Sequence, residues 1–163
     1  MRALFVIGSL VSVTRLAAAE VETKCYEGTE TTVGGPGAGK QSVVYEQIVD
    51  AKRNAIELRH WIADNDPGSS IVFAVDGTAI AVSVGGLTGR GTIAGKPWTD
   101  YTWTLRVQKL ENSVHGTLGG STMTLAIAAR YDGKDVSHTD TIATAFDCAK
   151  LAERRAALGK VHH

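Results

Sequence analysis

The chain has 163 residues, with 17 Lys and Arg balancing 17 Asp and Glu, and two cysteines. A balanced charge without a basic block argues against a nucleic-acid partner, which needs a cationic face. Neither cysteine has a second cysteine or a histidine at ligand spacing, so no metal site and no cofactor are expected.

Residues 1–19 have the pattern of a secretory signal. Arg2 is followed by an apolar run from Ala3 to Val13, and Ala17-Ala18-Ala19 supplies small residues before a cleavage point near Glu20. The run is too short to cross a bilayer, and Arg15 interrupts it; no other run in the chain is long enough. The expected location is secreted or periplasmic. Removing nineteen residues from 163 leaves 144, so 20–163 is read as a single domain, large enough to bury about 70% of its unfolded surface. Without Arg2 and Arg15, 15 basic residues face 17 acidic ones, a net charge of −2. Export also favours a disulfide between Cys25 and Cys148, near the two ends of that domain, with two buried free thiols as the alternative.

From Tyr26 to Phe146 the hydrophobic pattern has period two, with turn signals every eight to fifteen residues. Strands are expected over 23–33, 42–49, 55–63, 71–75, 78–84, 88–94, 101–110, 113–118, 122–131 and 136–146. Asp76-Gly77 and Asp132-Gly133 are strong hairpin signals. Tyr101, Trp103, Leu105 and Val107 alternate with polar Thr102, Thr104, Arg106 and Gln108, so one face is packed and the other wet. The predicted fold is all-β: an antiparallel up-and-down barrel of about eight to ten strands, since closure removes the sheet edges. A two-sheet sandwich gives the same alternation. Near 148–158 the period changes. Asp147 reads as an N-cap, and Cys148, Leu151, Ala152, Arg155 and Leu158 mark one side of a short helix ending at Gly159. That helix should dock outside the barrel or over one mouth. His162 and His163 are given no role.

Gly34-Gly35-Pro36-Gly37-Ala38-Gly39-Lys40 has the spacing of a phosphate-binding loop. That chemistry needs a helix after the loop and a hydroxyl after the lysine. Gln41 follows instead, and then the strand-like Ser42-Val43-Val44-Tyr45. No nucleotide is expected there.

Three groups are candidate site residues. Alternation sets Ile56, Leu58, His60 and Ile62 on one face and Glu57, Arg59, Trp61 and Ala63 on the other, so His60 is a polar group for an apolar interior. His138 and Asp140 share a face of the last strand, a spacing that suits a base with an orienting carboxylate or a solvated surface equally well. No neighbouring nucleophile is evident. The aromatics Trp61, Trp98, Tyr101 and Trp103 point to a ligand cavity or to ordinary core.

The meander and its C-terminal helix resemble the lipocalin-like (calycin) barrels over most of residues 25–158. Glu57-Leu58-Arg59-His60-Trp61 and Gly95-Lys96-Pro97-Trp98 are similar to stretches of small bacterial lipocalin-like domains. The early glycine-x-tryptophan motif of true lipocalins is absent, so no functional residue is carried over. The leading expectation is an exported, non-catalytic barrel binding a small, mostly apolar molecule, with His60, Trp61, Tyr101 and Trp103 near the ligand and an internal void to hold it. One alternative is a secreted hydrolase or isomerase using His60, or His138 with Asp140. That requires those side chains to converge. A second is a structural or interaction module of the cell envelope.

Overall fold

The period-two pattern folds into ten antiparallel strands in the computed structural model, which describes residues 21–95 and 98–159. They are β1 (Val21–Val33), β2 (Gly39–Asp50), β3 (Ala55–Trp61), β4 (Ser69–Asp76), β5 (Ala79–Val84), β6 (Leu87–Ala94), β7 (Asp100–Val107), β8 (Leu110–Thr117), β9 (Thr122–Tyr131) and β10 (Lys134–Phe146). Each pairs with its sequence neighbour, and β1 pairs with β10, closing an up-and-down barrel. The expected signal peptide over 1–19 and residues His162 and His163 lie outside the described residues. No described helix is long and apolar enough to cross a membrane.

The middle of the barrel is solid. Inward-facing Ile56, Leu58, Phe73 and Met123 keep 0% of their surface accessible, so no water-sized void lies beside them. Large rings fill the space over glycines on facing positions. A Cβ added at Gly116 would lie 2.4 Å from the Tyr101 hydroxyl oxygen, and one at Gly91 would lie 2.6 Å from the Trp103 Cβ. The interior expected as an internal void is therefore occupied by the protein's own side chains.

The two ends differ. The base carries the β2–β3, β4–β5, β6–β7 and β8–β9 connections. There the β8–β9 loop folds inward, held by a hydrogen bond from Lys24 Nζ to the Gly119 carbonyl and another from Tyr26 Oη to the Gly120 carbonyl at 3.2 Å. The Leu118 amide donates to the Thr99 carbonyl at 2.8 Å, which buries the Leu118 side chain in the core. The opposite end, carrying the other five connections, is the mouth.

Outside the wall, Asp147 caps a short 3₁₀ turn (Cys148–Lys150) by accepting from the Ala149 amide at 3.0 Å, and α1 (Leu151–Ala156) follows. This segment docks on the outer face, with Leu151 and Leu158 packed over Val44, Trp61 and Phe146. Cys25 and Cys148 form a disulfide, with Cα atoms 5.2 Å apart. Because Cys25 pairs with Phe146 across β1 and β10, the bridge sits at the seam where the barrel closes.

The observed strands correct the sequence reading at several strand ends. The strand expected over 101–110 ends at Val107, because Gln108 and Lys109 form a two-residue turn with Gln108 at φ 54°. The strand expected over 55–63 ends at Trp61, where Asp66 accepts from the Ile62 amide at 3.1 Å and from the Gly68 amide at 2.8 Å and so shapes a loop.

Candidate functional site

Register fixes which residues reach the mouth, because directly paired residues in a sheet share a face. Glu30 pairs with Gln41 and with Thr141, which lies in the interior, so the Glu30 side chain also points inward. His60 pairs with Tyr45 and Ser69. These strands, β10, β1, β2 and β3, make a polar arc around half of the opening. The other half is largely apolar, with Asn112 on β8 as a polar member in register with Leu105. Ile71 on β4, Val84 on β5, Val107 on β7 and Ile127 on β9 pack on the core while keeping part of their surface open, and Leu87 and Leu110 stand beside them at the rim.

Within the polar arc, Gln41 Nε2 donates to Glu30 Oε1 at 2.8 Å. His60 Nδ1 meets Ser69 Oγ at 2.7 Å, and its Nε2 lies 3.9 Å from Glu30 Oε2. The His60 ring stacks on Tyr45 with centroids 5.2 Å apart. Thr32 and Thr139 hydroxyls meet at 2.9 Å. Burial pushes the His60 pKa below its ordinary value, opposed by the negative charges of Glu30 and Asp66, so His60 is neutral at pH 7. Burial raises the Tyr45 hydroxyl well above the usual phenol range; the Thr141 hydroxyl opposes this and Glu30 reinforces it. Tyr101 is raised in the same way by burial, with Tyr45 and Asp100 adding to it. The Tyr101 hydroxyl, Gln47 Oε1 and His60 Nε2 are buried without a hydrogen-bond partner among the described residues, whereas the Tyr45 hydroxyl interacts with Thr141 and Glu30. Buried polar atoms are nearly always satisfied, so such a group marks a place where polar partners belong.

The four residues expected near a ligand separate into two sets. His60 lies in the mouth, and Tyr101 and Trp103 belong to the solid core below it. Trp61 points outward and is covered by the C-terminal segment, with the Arg155 guanidinium 4.4 Å from the ring centroid. It does not join the other three. Trp98 packs against the core at the base. His138 and Asp140 are brought together, Nε2 to Oδ1 at 3.1 Å, but on the outer surface of β10. His60 faces the opposite side of the wall, so His60 and the His138–Asp140 pair do not converge. His138 instead borders an outer groove of about 400 Å³ that also includes Arg90, Thr102, His115, Ala126 and Ala128. The glycine-rich loop after Val33 leads directly into β2, with no helix following Lys40.

Sequence reasoning missed Glu30, Tyr45 and Thr141. The segment Glu27 to Thr32 is polar on both faces, so alternation shows no contrast there; only the pairing of Glu30 with Gln41 and Thr141 reveals its direction. Among the described residues no group of three or more His, Cys, Asp and Glu is arranged to hold a metal ion. No protein-family model matches this sequence, nor does any curated protein.

Proposed function

We propose that the protein is an exported, non-catalytic binding barrel of lipocalin-like character that takes a small, mostly apolar molecule at its mouth. The observation that carries this reading is the division of the opening into an apolar arc over β4–β9 and a polar arc over β10 and β1–β3. A shallow site of this kind lets an apolar body leave water against Ile71, Val84, Val107 and Ile127 while its polar end meets Glu30 and His60. The disulfide supports work outside a reducing compartment.

Titration of a neutral hydrophobic fluorophore tests this reading. One-to-one binding is expected, and Val84→Asp at the mouth should weaken it at least tenfold by placing a charge in the apolar arc. Ile142→Asp, on the outer wall and 64% exposed, should leave it unchanged. An absence of binding, or equal sensitivity to both substitutions, overturns the proposal.

One contact favours a second reading, a hydrolase: the Ser69 hydroxyl at 2.7 Å from His60. Ser69 would be the nucleophile and His60 the base. The 3.9 Å separation of His60 from Glu30 is too long for the orienting hydrogen bond of a triad. Turnover of a p-nitrophenyl ester that disappears in Ser69→Ala would establish this reading over the binding one.

A further inference from the structure

The ligand's polar end can be read from the charge of the mouth, an inference that rests on the binding role proposed above. Glu30 is largely withdrawn from water, its side chain 14% exposed. Among the described residues no Lys or Arg pairs with it; its partners are the Gln41 amide, the Tyr45 hydroxyl and, more distantly, His60. His60 is neutral at pH 7 because burial outweighs the pull of Glu30 and Asp66. The carboxylate therefore lacks a compensating positive charge. A buried ion without one is costly to the fold.

The atoms left unpartnered around it are complementary to a donor. Glu30 Oε2 accepts only. His60 Nε2 is buried without a partner among the described residues. The Tyr45 hydroxyl, whose residue is 2% exposed, interacts with Glu30 and Thr141 in the same cluster. An ammonium carries three donors and one positive charge, so it satisfies several of these groups together and neutralises the carboxylate. A ligand carboxylate would bring a second negative charge against Glu30, and an alcohol would leave the charge uncompensated.

We propose that the molecule taken at the mouth is an amphiphilic primary amine, its ammonium seated among Glu30, His60 and the Tyr45 hydroxyl and its apolar body on the arc from Ile71 to Ile127. Recognition is by hydrogen bonding and ion pairing, with no covalent step.

Displacement of the neutral fluorophore by a matched series, octylammonium, 1-octanol and octanoate, tests this at neutral pH and below the concentrations at which they form micelles. Octylammonium should displace about tenfold more tightly than octanol, with octanoate weakest. In Glu30→Gln the octylammonium-to-octanol ratio should fall to about one, whereas the outer-wall substitution Glu46→Gln should leave the ratio as in the parent. Equal binding of amine and alcohol by the parent protein overturns the amine proposal and leaves the binding role standing. The same holds if octanoate binds best, or if Glu30→Gln retains the preference. Failure of every compound and of the fluorophore overturns both. The comparison within the parent protein does not depend on how well any variant folds.

Discussion

Base and mouth are ends of the same ten strands, built with the same alternation, and they treat inward-facing polar groups differently. At the base, Lys24 and Tyr26 each find a carbonyl in the β8–β9 loop, and Leu118 and Met123 seal what remains. At the mouth, Glu30, His60 and Tyr45 also point inward, but the loops do not supply all their partners. The inward-folded loop satisfies Lys24 and Tyr26, although Gln47 Oε1, in register with Lys24, is still buried without a partner among the described residues. At the mouth the unpartnered His60 Nε2 lies among side chains that keep part of their surface open, which is where the proposed ligand would be recognised.

Substitutions and titrations can break or sharpen this contrast. The largest effect concerns neither end alone. Removing the bridge between Cys25 and Cys148, which spans 123 residues of sequence, should lower stability by about 4–5 kcal/mol in the chain-entropy account. Urea unfolding of the double Cys→Ser variant against the oxidised parent measures it.

Next comes a paired truncation. Met123 is wholly buried toward the base, so Met123→Ala should cost about 3 kcal/mol, because a closed core relaxes little around a cavity. Ile71 at the mouth already keeps part of its surface open, and Ile71→Ala should cost about 1 kcal/mol. Equal losses would mean that the mouth is packed as tightly as the base.

The smallest effect is a pH slope. Burial holds the His60 pKa below the value of about 6.5 that it has in an unfolded chain. Above that pH the side chain is neutral in both states and adds no slope. As the pH falls below about 6.5 the unfolded chain binds the proton first, so stability declines until the lower folded-state pKa is passed. Urea midpoints between about pH 7.5 and 5 should fall less steeply in His60→Gln than in the parent. Identical slopes would show that His60 is not held neutral by the mouth.

Much of the architecture is legible in the residues. Asp132-Gly133 marks a hairpin because both backbones enter the left-handed region, with φ 52° and 77°; the Asp76-Gly77 signal finds its hairpin one residue late, since Asp76 pairs with Ala79 and the turn is Gly77-Thr78, with Gly77 at φ 61°. The Gln108–Lys109 turn is hidden because glutamine carries no turn signal. It takes its left-handed conformation because β7 and β8 must pair from Val107 with Leu110 onward. The site was less legible than the fold. His60 stands out as a polar residue in an apolar row, whereas Glu30 lies in a segment that is polar on both faces and becomes distinctive only through its cross-strand partners. Trp61 shows the reverse limit. Its size points toward a ligand, but the helix that covers it is a tertiary event that strand periodicity does not encode.

The closing seam also bears on how the barrel comes together. Nine of the ten strand pairings join neighbours along the chain and require only short loops. The pairing of β1 with β10 brings together residues as distant as Cys25 and Phe146, and ordering so long an intervening chain is the entropically slow part of such a topology. With Cys25 and Cys148 already joined, the two ends of that segment are tethered before any strand forms. Oxidation thereby turns the most distant contact of the fold into one that is close along the covalent path. The barrel is then able to complete itself from either direction, zipping inward from the bridge as well as outward from its hairpins.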